Sequence, residues 1–278
     1  MKEKRSSKNK SLIIFTLIIS LLSVFFSYHL LLEQKNDKRY IIELSEKVKD
    51  IENSNLHSIN FKNSSEFNAA VIKSINEFIK KKQTENLNIK YKQFDLASDT
   101  HLKIHLYGKN NTRFTLVEFS DLECPYCKYY HHTLKKIIDD NKEIINWKWL
   151  HLPLNFHNPI AHKEAIASEC IAQLKGNRAF WVFITDIFQK TQSNGRGVNN
   201  LSKVVSDLGV NRNEFNKCFL SGKYENLIQN NINMANKLGI NGTPATLIID
   251  NDTGNKQLVS GALPESSLLS IIHKLMNP

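Results

Sequence analysis

Cysteine is scarce in this chain: Cys124, Cys127, Cys170 and Cys218 are the only four among 278 residues. No second short-spaced Cys pair or Cys/His pair accompanies Cys124 and Cys127, so the four ligands a structural zinc ion needs are missing. His131 and His132 lie close by, but adjacent helical residues point about 100 degrees apart and do not easily join one ligand set. No metal site is therefore expected. Arg-rich faces with interleaved aromatics are also lacking, which excludes a nucleic-acid partner as the reading of the charge. Internal repeats and low-complexity arrays are absent. Residues 33–95 contain neither glycine nor proline, so nothing in that stretch interrupts a helix.

What charge there is sits at one end. The net charge is +10, and Lys2, Lys4, Arg5, Lys8 and Lys10 crowd into the first ten residues against Glu3 alone. The next run, 12–32, is almost wholly apolar, broken only by small hydroxyls, Tyr28 and His29. About 20 helical residues cross a hydrocarbon core. The basic flank predicts that residues 1–11 stay in the cytoplasm and that 12–32 is a single-span signal anchor. A cleaved signal peptide is the competing reading, although Ser27-Tyr28-His29 makes a poor cleavage site. Both readings export the chain beyond residue 33. The expected location is the bacterial inner membrane, with the main domain in the periplasm, an oxidising compartment.

Within 33–95, Ile41, Leu44, Val48 and Ile51 follow the seam spacing of a short coiled coil, and Phe67, Val71, Ile72, Ile75 and Ile79 share one helical face. The region is expected to be a helical stalk, either a homo-oligomerising one or a solvated spacer. Residues 96–278 read as one α/β domain. Strands are expected at Leu102–Leu106, Phe114–Phe119, Ile144–Leu152, Ala245–Ile249 and, after the turn Asn251-Asp252-Thr253-Gly254, Gln257–Val259. The period is helical across about 160–238. Asn211 and Glu214 form a capping-box pattern there, and Gly239 ends the last helix. A final helix starts at Pro264. The predicted order is β-β-α-β, a helical block, then β-β-α.

Chemistry concentrates at Cys124-Pro125-Tyr126-Cys127, between the strand Phe114–Phe119 and a helix running to about Asp140. Two sulfurs three residues apart at such a junction can close a small disulfide ring. The first lies at a helix N-terminus, where unpaired N–H groups and the macrodipole favour an anion. A thiolate there is the stable form near neutral pH, with a pKa of about 3.5–7.5 at comparable sites. This is the arrangement thiol–disulfide exchange requires. Pro125 and Tyr126 set the hydrogen bonding around the Cys124 sulfur and hence its poise.

The run Val117-Glu118-Phe119-Ser120-Asp121-Leu122-Glu123-Cys124-Pro125-Tyr126-Cys127, the helical stretch after it, the loop Gly239-Ile240-Asn241-Gly242-Thr243-Pro244-Ala245-Thr246 and the closing hairpin and helix together resemble the DsbA-like family of exported thiol:disulfide oxidoreductases. The resemblance covers roughly residues 100–277. It implies a thioredoxin-like fold with an all-helical insertion, here preceded by a transmembrane helix and a helical stalk. Cys124 is then the nucleophile and Cys127 the resolving thiol, with no cofactor beyond their own disulfide. Pro244 is implied to be cis, with the backbone of Thr243 pairing with an extended substrate chain beside Pro125 and Tyr126. Threonine before that proline resembles the isomerase-like members. The family carries an acid where Glu118 stands, and a buried carboxylate there can relay a proton to Cys127; an exposed edge-strand glutamate is the plainer reading.

Many relatives pair two cysteines placed like Cys170 and Cys218. Such a bridge would stabilise by about 4 kcal/mol. Two free buried thiols or a second redox centre are the alternatives. Phe180, Trp181, Phe183 and Phe188 are expected in the core of the insertion, Tyr129 or Tyr130 at the edge of the binding surface, and His157 and His162 at the surface or as caps. Implied partners are cysteine-containing exported proteins and a membrane redox partner, DsbB-like or DsbD-like. A thioredoxin-fold binding module without turnover, such as a copper chaperone or holdase, is the rival. Copper-handling relatives add a distant histidine, and the loop 239–246 has none.

Overall fold

The computed structural model describes residues 46, 64–97 and 105–277. The expected span 12–32 and the seam residues Ile41, Leu44, Val48 and Ile51 lie outside these. Among the described residues no helix is long and apolar enough to cross a membrane. The chain divides into two units, residues 1–80 and 81–278. Helix α1 (Ser64–Lys92) begins in the first. There Phe78 is buried, while Ile72 and Ile79 are exposed. The covered face runs through Val71, Ile75 and Phe78, at the 4-3 spacing of one helical stripe, and leaves out Ile72 and Ile79.

From residue 81 onward α1 is part of the second unit. Leu87 and Tyr91 pack against its core, and Phe94 is buried in it. Lys90 Nζ donates to both carboxylate oxygens of Asp186, at 2.7 and 2.5 Å. The domain therefore starts upstream of residue 96, where composition alone set its edge. Three apolar anchors among lysines and asparagines are too few to shift a composition boundary, yet enough to seat a helix end.

Strands β1 (His105–Tyr107), β2 (Phe114–Ser120), β3 (Ile145–His151), β4 (Ala245–Asp250) and β5 (Lys256–Ser260) form one sheet in the order β1-β3-β2-β4-β5. The first strand sits later than Leu102–Leu106, and residues 101–104 lie outside the described ones. β2 runs parallel to β3, and the other neighbours are antiparallel. The parallel pair needs a crossover, supplied by α2 (Pro125–Asp140). β2 and β3 are covered on both faces, so even their polar residues, Thr115, Glu118, Ser120, Asn146 and His151, are buried.

Helices α3 (Ile160–Lys175), α4 (Asn177–Lys190), α5 (Leu201–Asp207), α6 (Arg212–Phe219) and α7 (Glu225–Lys237) make the block between β3 and β4, and α8 (Glu265–Met276) closes the domain. Phe180, Trp181, Phe183 and Phe188 are fully buried, as expected. Trp181 packs on Trp147 of β3, ring centroids 4.4 Å apart, so the insertion and the sheet share one core. The Asn211 side chain accepts from the Asn213 and Glu214 amides and caps α6. Cys170 on α3 and Cys218 on α6 are disulfide-bonded, S–S 2.03 Å, the pairing that the resemblance implied.

Next to Cys170, buried Glu169 meets His105 Nε2 and His151 Nε2, each at 2.9 Å. Trp149 Nε1 donates to His151 Nδ1, leaving Nε2 of that ring as the donor to Glu169. Burial pushes the Glu169 carboxyl up, but the two imidazoles outweigh it and hold the acid well below the usual carboxylate range.

Candidate active site

The site forms where β2 ends. Cys124 is the residue before α2, with extended backbone (φ −83°, ψ 120°), and Pro125 takes the first helical position, where a missing N–H costs nothing. The Cys124 amide donates to the Asp121 carbonyl at 3.1 Å, and its own carbonyl accepts from Lys128 N at 3.1 Å. One turn further, Cys127 lies wholly in the core. Both thiols are free. Tyr126 between them is 69% exposed. Tyr129 is also exposed, whereas Tyr130 is buried and its hydroxyl pairs with Thr246 Oγ1 at 2.9 Å, so of the two only Tyr129 can edge an outer surface.

The Thr243–Pro244 bond is cis. The Cys124 thiol donates to the Thr243 carbonyl at 3.4 Å, which puts the loop 239–246 against the sulfur. Cys124 is consequently only 4% exposed. The Cys127 thiol beside it is the largest influence on its acidity and outweighs the opposing cost of burial. With the Thr243 side chain and the Cys127 and Tyr126 amides it brings Cys124 down to about 6. Cys127 moves the other way: burial, then the neighbouring Cys124 anion and Glu118, push it well above an ordinary thiol. The two sulfurs are thus differentiated, one an anion near neutral pH and the other a held proton.

Glu118 is fully buried in the middle of β2, in register with Trp149 on β3 and Thr246 on β4. The edge-strand reading is ruled out, because β2 lies third of five in the sheet. Neither carboxyl oxygen is hydrogen-bonded. Burial raises the acid to about 8; the nearby Ser120 and Trp147 side chains temper the rise and Cys124 adds to it.

Three further acids surround the approach to Cys124, and the sequence reading passed over them. Asp121 accepts from the Glu123 amide (2.8 Å), the Leu154 amide (2.8 Å) and His157 Nδ1 (2.7 Å). His157 is therefore buried, not a surface residue; its partner sits 36 positions earlier in the chain, beyond any local pattern. Glu123 accepts from Thr191 Oγ1 and from the Gly197 amide (2.8 Å). Glu164 on α3 is buried beside it. The one available signal was the alternation Asp121-x-Glu123 directly before the motif. His162, by contrast, is a half-exposed partner of Glu225 (2.6 Å). Among the described residues no group of three or more His, Cys, Asp or Glu is placed to hold a metal ion.

Comparison with known proteins agrees with this geometry. A family model described as thioredoxin matches residues 100–263, more than half of the chain. The chain is 33% identical to the crystal structure of DsbA2 from Pseudomonas aeruginosa, covering 63% of this chain and 95% of that one, with a TM-score of 0.57. Alpha-DsbA1 from Wolbachia pipientis, at 22% identity and a TM-score of 0.52, shares the fold. A protein of Rickettsia felis provisionally named a protein-disulfide oxidoreductase is 28% identical over 163 residues, 55% of each chain. The match thus spans about half the length of that curated relative.

Proposed function

Because the chain belongs to the thioredoxin family, in its DsbA-like branch, we propose that it is an exported thiol:disulfide oxidoreductase that forms or shuffles disulfides in envelope proteins through Cys124 and Cys127. The observation that carries this is the split between the two sulfurs. Cys124 is acidified to about 6 at the start of α2 and touches the cis-proline loop, while Cys127 is buried and holds its proton.

In oxidation a substrate thiolate attacks Cys124 Sγ of the Cys124–Cys127 disulfide. The S–S bond breaks, and Cys127 leaves and takes up a proton. Glu118, itself protonated below about pH 8 and coupled to both sulfurs, supplies that proton across the core. The second substrate thiolate then attacks the substrate sulfur of the mixed disulfide, and Cys124 departs as the stable anion. The substrate loses two electrons and the enzyme is left as the dithiol, which is the form described here. A DsbB-like membrane partner that accepts the two electrons resets it to the disulfide, whereas a DsbD-like partner would keep it reduced for isomerisation.

In isomerisation the Cys124 thiolate opens a wrong substrate disulfide, and either the substrate or Cys127 resolves the mixed species. The Thr243 backbone offers the substrate an added-strand contact, and Tyr126 is exposed. Threonine before Pro244 favours shuffling, and a stalk that oligomerises would favour it further. Segment 12–32 tethers the domain to the outer face of the bacterial inner membrane. Equilibration of the purified protein in glutathione buffers, with refolding of scrambled ribonuclease, tests this reading. A defined two-electron potential and catalysed refolding support it, whereas Cu(I) binding without turnover overturns it.

A further inference from the structure

The mechanism leaves unused the acids that flank the backbone just before Cys124. Each oxygen of the Glu123 carboxylate already accepts from a donor, Thr191 Oγ1 on one side and the Gly197 amide at 2.8 Å on the other. Its backbone carbonyl accepts from Asn194 N at 2.8 Å, and the Ser193 amide holds Thr191 Oγ1 at 2.9 Å. The loop 191–198 is thereby wrapped around the residue preceding Cys124. That loop lies close on α3: a Cβ on Gly197, whose φ is +70°, would sit 2.8 Å from Ile160 Cγ2 and 3.7 Å from Glu164 Oε1.

Glu164 is 2% exposed, and neither of its carboxyl oxygens is hydrogen-bonded; the nearby Val198 amide favours its charge, but less than burial and Glu123 oppose it. The group it faces is Glu123, another acceptor, with Asp121 adding a second negative charge. Among the described residues no cation offsets them. His157 is bonded to Asp121, and the Arg196 guanidinium is bonded to the Ser193 and Gln192 carbonyls at 3.2 and 2.6 Å. Two ionised carboxylates buried face to face repel, and one of them takes a proton. Both Glu123 oxygens already accept from donors, whereas neither Glu164 oxygen does, so the shared proton is placed on Glu164.

We propose that Glu164 is a neutral acid that donates its proton to the Glu123 carboxylate, and that this carboxyl–carboxylate bond is the clamp that fixes the segment 121–124 and hence the Cys124 sulfur. Glu164 is then a positioning residue, acting on Cys124 through Glu123 and the loop 191–198. The clamp opens when Glu164 ionises, which burial and its acidic neighbours postpone to about pH 9. Glu164→Gln retains an N–H donor toward Glu123 and cannot ionise, whereas Glu164→Leu keeps the bulk and loses the donor.

This inference rests on Cys124 being the reacting sulfur, but its test needs no turnover. The rate of Cys124 carbamidomethylation by iodoacetamide is followed in the reduced full chain from about pH 5 to about pH 10, where only the thiolate reacts, with the label located by mass spectrometry. The wild-type rate levels off above the Cys124 transition and then departs from that plateau near pH 9. Glu164→Gln stays flat through pH 9. Glu164→Leu is altered at pH 7 by about tenfold, the scale of one charge-assisted hydrogen bond. A Glu164→Gln profile with the same departure near pH 9, or a Glu164→Leu profile superimposable on wild type, overturns the proposal. Infrared difference spectra between wild type and Glu164→Gln at neutral pH decide the protonation state separately. A carboxylic-acid carbonyl band lost in the variant supports the clamp, and its absence from wild type refutes it. Failure of the enzymatic reading would appear as no catalysed refolding, with these profiles unchanged.

Discussion

Glu118→Gln is the substitution that most sharply separates stability from chemistry at this site. The side chain keeps its shape and becomes neutral at every pH. In the wild type the carboxyl is ordinary, near 4.5, in the unfolded chain and is raised to about 8 in the folded one. Between those values the folded state binds a proton that the unfolded state has released, so stability is highest below pH 4.5 and falls as pH rises toward 8. From 4.5 to pH 7 the loss, at about 1.4 kcal/mol per unit, comes to about 3 kcal/mol as an upper bound. Glu118→Gln removes this slope. Urea unfolding of the reduced protein at several pH values between about 5 and 8 should show the variant gaining on wild type as pH rises, by up to about 3 kcal/mol at pH 7. The same variant should resolve mixed disulfides more slowly, because the proton donor for Cys127 is gone. Parallel stability–pH curves for the two proteins would refute the reasoning, since they would mean that the buried carboxyl titrates no differently in the fold.

Cys127→Ser should accumulate a mixed disulfide between Cys124 and substrate, seen as a mass adduct that dithiothreitol releases; a variant that turns over like wild type would remove Cys127 from the resolving role. The Cys170→Ala/Cys218→Ala double variant should lose about 4 kcal/mol of stability in urea, from the loop that the bridge closes over a separation of 48 residues. Its Cys124 reactivity should be unaltered, and a changed Cys124 rate would mean that the second disulfide acts on the first.

Local sequence carried the parts of the fold whose causes are local. The strand before Cys124, the Asn211 cap and the glycine at the end of α7 were all legible, because each is set by residues within a turn of one another. The placement of Cys124 and Cys127 at the strand-to-helix junction was legible for the same reason. The Cys170–Cys218 bridge was implied by resemblance and could not be read from spacing, since its two helices meet only in the folded insertion.

What stayed hidden was the set of long-range bonds beneath the site. Asp121 meets Leu154 and His157, and Glu123 meets Thr191 and Gly197, across separations of 33 to 74 residues. Nothing in the neighbourhood of His157 marks it as buried; its environment is made by Asp121. The domain edge was missed on similar grounds. Leu87, Tyr91 and Phe94 are apolar anchors in a polar stretch, and the surface that receives them comes from elsewhere in the chain.

The acidity of the Cys124 sulfur is the quantity on which the account turns. Alkylation of the reduced protein with iodoacetamide across the acid and neutral range, with the label assigned to Cys124, measures it directly. The account predicts a midpoint near pH 6. A midpoint near 9, that of an ordinary thiol, would contradict it.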